Sequence, residues 1–274
     1  MKYRKSILSA SIAAALSLPF VVVAEDHDED ELEFEEAHVF FELNNTDGDL
    51  GIHALIDGEP WKKLTIEDQH ERTILRVKTR SRLRRQGLTE FFFESAEPQF
   101  AELSPEKFFA RFPEGTYEIE GITLDGAEME SETEISHAMP APPQPTVNHM
   151  AAAQQCDDEL PGYDAPTIDD DEIVIRWEPV TTTHPWIGEP QGAPGLTVYN
   201  YEVVVEADLE ISEEEEFTTV FSAVVPPGVT EMTVPEEFLE QTDTFKYEVL
   251  ARADNWNQTA TESCFLLEEE DDGE

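Results

Sequence analysis

The chain is poor in positive charge. Its 274 residues hold 17 Lys and Arg against 62 Asp and Glu, which gives a formal net charge of −45 at pH 7. A phosphate backbone must be met by positive charge, so this composition excludes a general nucleic-acid binder and disfavours binding to an anionic membrane surface. A strongly acidic surface fits adaptation to saline habitats and also fits cation binding, and the sequence leaves both interpretations open.

The sequence also lacks catalytic motifs. Its seven histidines show no HExxH spacing, and neither a nucleophile elbow nor a phosphate-binding loop occurs. Hydrophobic residues make up 39% of the chain, which is enough to build folded cores despite the charge. We therefore predict a folded protein that is not an enzyme and has no cofactor, with bound Ca²⁺ as an open alternative.

The longest apolar run lies at the N-terminus. Three basic residues precede an apolar stretch from Ile7 to Ala24, and acidic sequence begins at Glu25. This order of charge, apolar stretch and small residue is typical of a secretory signal peptide, here residues 1–24. We expect cleavage after Ala24, no transmembrane segment in the mature chain, and a periplasmic or extracellular location.

Cysteine is scarce, since only Cys156 and Cys264 are present. In an oxidising compartment an even number of cysteines is compatible with one disulfide. Two separate thiols fit the sequence equally well, because the spacing does not show whether the two side chains can reach each other.

Composition divides the chain into segments. Residues 25–36 and 268–274 are acidic blocks, which we predict to be solvated and disordered. Residues 139–165 are rich in proline and alanine and show no hydrophobic period, which predicts a linker. Two folded units, residues 37–138 and 166–267, lie between these segments.

Both units consist of short β-branched or aromatic runs separated by turn residues, for example GTYEIEGITL and TVYNYEVVVEA. Such runs, without long helical periodicity, predict an all-β protein built from two β-sandwiches. Pro105 and Pro235 begin similar stretches in which Tyr117 and Tyr247 occupy the same place. We interpret each stretch as a helical turn followed by a tyrosine-bearing strand.

The second unit carries a family pattern. Trp177 falls in its second predicted strand and Tyr201 in its third, and the run from Tyr247 to Asn255 matches the pattern Y-x-V-x-A-x-x-x-N. On these residues the unit resembles a fibronectin type III domain. The resemblance implies a tyrosine corner, in which the Tyr247 hydroxyl bonds back to the backbone.

The first unit looks like a more divergent immunoglobulin-like sandwich. Tyr117 is its matching corner residue, but the tryptophan of the second strand is missing. The two resemblances together imply binding or spacer modules, and a fold of this kind fixes no ligand.

Oxygen-bearing side chains alternate near the start of the first unit. Asn45, Asp47 and Asp49 are ligand types that hard cations such as Ca²⁺ prefer. The segment is not an EF-hand loop, because Leu50 stands where the sixth position needs glycine. An Asp-Gly pair is also a hairpin-turn signal, so a metal site and a plain turn are the alternatives.

Seven of the 14 Lys and Arg residues that follow residue 24 lie in residues 72–85. If residues 74–84 form a single strand, its period of two places five of them on one face. That face either pairs with alternating glutamates in a cross-strand charge ladder or binds an anion or an acidic partner, including the second unit. The five residues are Arg76, Lys78, Arg80, Arg82 and Arg84.

A long loop, residues 183–195, separates the Trp177 strand from the Tyr201 strand. It is rich in glycine and proline and carries His184 and Trp186. An exposed tryptophan in such a loop binds a partner or stacks on a glycan, whereas a tryptophan folded back covers the end of the core.

These features predict an exported, non-catalytic binding or structural protein of a bacterial envelope, which mediates protein–protein or protein–glycan interaction. The alternative is a Ca²⁺-dependent accessory module of a secreted hydrolase system. An exposed Trp186 favours the binding function, whereas metal-dependent folding favours the accessory function.

Overall fold

A computed structural model describes residues 32–157, 160–170, 172–212 and 215–268, except for the side chains of residues 210–216. The predicted signal peptide, residues 25–31 of the first acidic block and the tail from residue 269 lie outside the described residues.

The described chain is mostly β, as the sequence predicts, and its longest helix has six residues. The strands follow from the sequence period. In GTYEIEGIT, for example, Tyr117 and Ile119 are buried while the intervening glutamates face outward. The elements of the first part are β1 Glu36–Asn44, β2 Asp49–Glu67, β3 Thr73–Lys78, α1 Ser81–Gln86, β4 Leu88–Glu94, α2 Pro105–Phe109, β5 Gly115–Thr123 and β6 Glu128–Ile135.

The second part repeats the combination of a short helix and a tyrosine-bearing strand, at α3 and β14. Its elements are β7 Thr146–Val147, β8 Met150–Ala151, β9 Thr167–Ile168, β10 Val174–Arg176, β11 Val198–Ser212, β12 Glu215–Val225, β13 Glu231–Thr233, α3 Glu236–Leu239, β14 Thr244–Ala253 and β15 Gln258–Leu267.

The strands form one large mixed sheet and one small sheet. The large sheet has the order β12-β11-β14-β15-β1-β2-β5-β6, with β3 and β4 paired to β2 and β9 paired to β15. The small sheet has the order β13-β10-β7-β8. Because β1 runs parallel to β15, strands of both predicted units belong to the large sheet. The division into two sandwich domains stays a prediction.

Two hydrophobic clusters lie beneath these sheets. The first contains Phe41, Trp61 and Tyr117, which are fully buried. The second contains Tyr201 and Phe265 together with other buried side chains of the second part. Each part therefore has its own core, although the large sheet continues across both.

The segment predicted as a linker takes part in this structure. It supplies β7 and β8, and it buries Met139 in the first cluster and Val147 in the second. A disulfide joins Cys156 of this segment to Cys264 in β15, with the two Cα atoms 5.8 Å apart. The segment is therefore fixed to the sheet at several points along its described length.

Predicted disorder does not hold for residues 32–36. Phe34 packs into the first cluster and is only 7% exposed, and Leu32 forms a bridge with Met129 of β6. The acidic composition hides the apolar Phe34, which reaches the core because this segment runs beside β6, whereas Leu32 stays 39% exposed.

The tyrosines behave differently in the two parts. The Tyr117 hydroxyl donates to the carbonyl oxygen of Pro113 at 3.0 Å, four residues upstream, which is the contact of a tyrosine corner. The corner implied at Tyr247 is absent, since its hydroxyl has no backbone partner among the described residues. Tyr247 lies opposite Ser263 of β15 and is 2% exposed.

Another tyrosine makes the backbone contact in the second part. The backbone N–H of Val180 donates to the Tyr201 hydroxyl at 2.8 Å, and the Tyr201 ring meets Trp177 edge-on at 5.3 Å between centroids. These two aromatic residues pack in the core. The fibronectin type III resemblance remains an interpretation.

Candidate binding groove

The loop of residues 183–195 is held firmly against the first part of the molecule. Ile187 is buried in the first hydrophobic cluster. Gly188 has φ of +78°, and a Cβ there would lie 1.9 Å from the carbonyl oxygen of His137. The Gln191 side chain donates to the carbonyl oxygen of Trp186 at 3.1 Å. These contacts define the course of the loop on both sides of its tip.

His184 organises the loop from within. Its ring is buried, and its Nδ1 accepts the backbone N–H groups of Trp186 and Ile187 at 3.2 and 3.0 Å. Because Nδ1 accepts, Nε2 carries the proton and donates to Asn45 Oδ1 at 3.2 Å. Burial lowers the pKa of His184 to about 4, so the imidazole is neutral at pH 7.

Trp186 points away from the core. Its side chain is 79% exposed, more than any other large hydrophobic residue in the described part of the chain. The loop therefore does not use Trp186 as a cover for the core. His184 and Ile187 fill that role, and they leave the indole presented on a fixed backbone.

A groove of about 540 Å³ runs between this loop and α2. Pro105, Phe109 and Pro113 form one apolar wall, and Trp186 stands on the other. The His137 ring stacks on Phe109 at 4.4 Å between centroids, and its Nε2 donates to the carbonyl oxygen of Phe112 at 2.8 Å. His137 is thus held as part of the groove surface.

Polar groups line the same groove. Glu106, Glu114, Glu189 and Gln191 contribute carboxylates and one amide, and no Lys or Arg is among its described lining residues. Sequence reasoning identified the loop but missed the α2 wall and His137. The proline-led stretch at Pro105 predicts a helical turn, but its contact with the loop is long-range and has no local signal in the sequence.

Of the predicted metal ligands, Asn45 and Asp47 lie in a turn, and Asp49 begins β2 directly after it. The Asn44 side chain accepts the backbone N–H groups of Thr46 and Asp47, each at 3.0 Å, and Gly48 adopts φ of +69°. The Asn45 oxygen is engaged by His184. No group of three or more His, Cys, Asp or Glu side chains within the described ranges is placed to hold a metal ion. A turn is therefore present at Asn45 and Asp47, and the metal site stays a prediction.

Carboxylates gather on the large sheet beside that turn. Burial, followed by the charges of Glu97 and Asp47, raises the pKa of Asp49 to about 6. Burial, followed by the charges of Glu262 and Glu42, raises the pKa of Glu248 to about 8. Sequence reasoning did not single out this cluster, because 62 carboxylates offer every spacing by chance.

The predicted basic strand is broken, and this prediction is wrong. β3 ends at Lys78, the buried Thr79 donates its hydroxyl to the carbonyl oxygen of Lys62, and Ser81 has φ of +51°. The helix α1 follows, because its arginines, leucine and glutamine have high helix propensity. Arg76 and Lys78 therefore lie on β3, Arg80 precedes the helix, and Arg82 and Arg84 lie on α1.

The charge-ladder interpretation is also wrong. Arg76 lies opposite Thr65 of β2, and Thr65 in turn lies opposite Glu120 of β5. Glu120 lies opposite Glu130, so the alternating glutamates of β5 and β6 face one another rather than the bases. Strand β2 keeps the two charged sets apart.

No protein-family model matches the sequence, and no curated protein matches it. Among solved structures, it is similar to a BSP domain of a biofilm-associated protein at 11% identity and a TM-score of 0.23, over 88% of this chain and 30% of that chain. It is similar to a tetra-tandem repeat in the extending region of a large adhesion protein at 10% identity and a TM-score of 0.23, over 85% of this chain and 49% of the other.

A third similar structure concerns a 1.5-MDa bacterial ice-binding adhesin, at 8% identity and a TM-score of 0.21, over 87% of this chain and 66% of that one. The chain spans less than a third of the first structure and about half of the second. Likenesses at these TM-scores carry no argument about function. In the described ranges no helix is long and apolar enough to cross a membrane.

Proposed function

We propose that this chain is an exported, non-catalytic binding protein of a bacterial envelope, and that it binds a neutral glycan in the groove beside Trp186. The observation that carries this proposal is the 79% exposure of an indole on a loop whose backbone is fixed by His184. Such an aromatic anchor on a rigid surface is typical of binding sites.

The chemistry of the groove favours a sugar. The flat indole offers a stacking face for the C–H groups of a pyranose ring, and the Glu106 and Glu189 carboxylates and the Gln191 amide can bond to hydroxyl groups. An acidic glycan is disfavoured, because the described lining of the groove contains carboxylates and no base that would neutralise them.

The disulfide supports export. Cys156 and Cys264 are joined, and such bonds form and persist in oxidising compartments such as the bacterial periplasm and the cell exterior. The signal-like sequence of residues 1–24 points the same way. The non-catalytic function is supported by the role of His137, whose ring is stacked and hydrogen-bonded within the groove wall.

Calorimetric titration of the purified protein with neutral hexasaccharides, namely cellohexaose, xylohexaose and chitohexaose, tests this function. We expect at least one of them to bind, and an acidic oligogalacturonate not to bind. The substitution Trp186→Ala should weaken binding at least about tenfold, because a central aromatic anchor contributes about 2 kcal/mol or more.

The matched control is Phe217→Ala, which removes a 55% exposed aromatic side chain that does not line the groove. This variant should bind like the wild type. Absence of binding to all three neutral sugars, or equal binding by Trp186→Ala, would contradict the glycan proposal. Binding of a proline-rich peptide in their place would assign the groove to a protein partner.

A further inference from the structure

A basic surface stands out on this acidic molecule. Residues 72–85 carry seven bases and no acid in a chain with 17 Lys and Arg in all. Six of these bases lie on β3, on α1 or between them, and each of the six is exposed. We call this surface the basic edge, and it consists of Arg76, Lys78, Arg80, Arg82, Arg84 and Arg85.

The charges of the basic edge have no acidic partner within the described part of the chain. None of its six side chains forms a salt bridge there, whereas Arg72 just before it pairs with Asp68 at 2.6 Å. On the neighbouring strand β2, a threonine lies opposite Arg76 and a lysine lies opposite Lys78. An acidic ligand would therefore meet positive charge that is still unpaired.

Strand β3 also has an open backbone edge. In the described residues it pairs with β2 on one side and with no strand on the other. The backbone N–H of Thr79 donates to the carbonyl oxygen of Lys62 of β2, and bonded positions alternate along an antiparallel pair. Residues 77 and 79 therefore bond to β2, whereas the backbone groups of Arg76 and Lys78 point to the open side.

The two faces of β3 differ in character. Arg76 and Lys78 share one face and are exposed. Leu75 and Val77 share the other face, where they pack against the first hydrophobic cluster and are only partly buried. A strand added to this edge would place every second side chain beside the bases and the others beside the partly buried apolar residues.

We propose that the basic edge binds an extended acidic peptide, which adds to the sheet as a further strand beside β3. The peptide backbone bonds to the free backbone groups of Arg76 and Lys78, and its acidic side chains pair with the side chains of the same two residues. The residues between the acids cover Leu75 and Val77. The segment recognised is thus an alternation of Asp or Glu with apolar residues such as valine.

The choice of a peptide follows from all three features of the edge. Charged residues on an edge strand also prevent aggregation, but acids would serve that purpose equally well in a chain with 62 Asp and Glu. A polyanion without a peptide backbone would neutralise the bases and leave the open backbone groups of β3 without partners. Such a polyanion would also leave Leu75 and Val77 uncovered, whereas an alternating peptide satisfies charge, backbone and apolar side chains together.

Fluorescence anisotropy of the purified protein with labelled heptapeptides tests this proposal. One peptide alternates four glutamates with three valines, and a second has the same composition with its glutamates in one block. The alternating peptide should bind at least about tenfold more tightly, because only alternation places all of the acids on one face of a strand. N-methylation of one set of its alternate amides should abolish binding, and N-methylation of the other set should preserve it, because only one set faces β3.

The double variant Arg76→Glu with Lys78→Glu should bind the alternating peptide at least about tenfold more weakly than the wild type, because like charges then face each other. The matched control is Lys107→Glu with Arg111→Glu, which makes the same change of charge at exposed positions outside the basic edge and should bind like the wild type. Trp186→Ala should also bind the peptide normally, which separates this proposal from glycan binding.

Failure of the wild type to bind the alternating peptide overturns the proposal and leaves the bases as protection of an edge strand. Equal binding of the block peptide overturns it as well, as do equal effects of the two methylation patterns or unchanged binding by the Arg76 and Lys78 variant. Binding of heparin through Arg76 and Lys78 without binding of the peptide also overturns it, and assigns the basic edge to a sulfated polysaccharide.

Discussion

At the scale of single residues, the groove depends on a neutral histidine. His184 accepts two backbone N–H groups of its own loop through Nδ1, which only an unprotonated nitrogen can do. Burial keeps the imidazole neutral, and the neutral imidazole preserves the loop geometry. Trp186 is therefore presented by a hydrogen-bonded framework rather than by its own packing.

Glu248 shows the cost of crowded carboxylates. It lies opposite Glu262 across β14 and β15, and like charges placed directly opposite each other are destabilising. Burial, followed by the charge of Glu262, raises the pKa of Glu248 from its ordinary value of 4.5 to about 8. Between these two values the native state binds more protons than the unfolded state, so the free energy of unfolding falls as pH rises.

We expect Glu248→Gln to remove this dependence. The wild type should lose the stabilisation linked to protonation of Glu248 as pH rises from about 4.5 to about 8, and its melting temperature should fall accordingly. The variant should lack this part of the fall and melt higher at pH 8. Thermal melts followed by circular dichroism measure it, with exposed Glu178→Gln as the control. The difference between Glu248→Gln and the wild type isolates this group from His184, whose lowered pKa acts in the opposite direction. Identical pH profiles for the two proteins would refute the assignment.

At the scale of elements, one asparagine joins the two parts of the chain. Asn257 lies just before β15 and is 2% exposed. Its Oδ1 accepts the backbone N–H of Phe41 in β1 at 2.9 Å, and its Nδ2 donates to the carbonyl oxygens of Ser136 and Ala138 at 2.8 and 3.1 Å. It thus fixes β1, the start of β15 and the segment that follows β6.

The substitution Asn257→Ala should lower the free energy of unfolding by about 2–3 kcal/mol, because it leaves the buried N–H of Phe41 without a partner. Urea unfolding followed by tryptophan fluorescence measures the change. The control, Gln241→Ala, removes an exposed amide that bonds to one carbonyl oxygen, and it should cost far less. A loss for Asn257→Ala no larger than the control would show that parallel pairing of β1 and β15 holds the junction unaided.

At the scale of the whole molecule, the disulfide links the middle of the chain to its last strand. Cys156 and Cys264 are separated by 108 residues, and the bond attaches the segment that carries β7 and β8 to β15. A cross-link over so long a loop restricts the unfolded chain strongly. This restriction matters in a chain with a formal charge of −45, whose self-repulsion favours expanded states.

Replacing both Cys156 and Cys264 by serine should lower the free energy of unfolding by about 4–5 kcal/mol in the chain-entropy model. Urea titration of oxidised wild type and of the double variant measures the difference. Wild type treated with a reductant should match the variant, which serves as the control for the substitution itself. A loss below about 1 kcal/mol would mean that the packing of Met139 and Val147 alone fixes the segment.

The sequence alone determined the local features of this protein. Alternating apolar residues define strands such as β5, and an Asp-Gly pair defines the turn after β1, because side-chain period and turn chemistry act over a few residues. The loop of residues 183–195 was found for the same reason. The break after Lys78 was missed, although the helix-forming composition of residues 81–86 was a local signal against one long strand.

The tertiary structure decided everything that depends on residues distant in the chain. Whether Trp186 is exposed is settled by the packing of its neighbours His184 and Ile187 against the first part of the molecule. Likewise, the pKa of Glu248 rises because separate strands bring carboxylates together, and the alternating glutamates meet one another because β2 separates them from the bases. The burial of a residue and the electrostatic potential at it depend on all of its neighbours, and only the fold determines which residues these are.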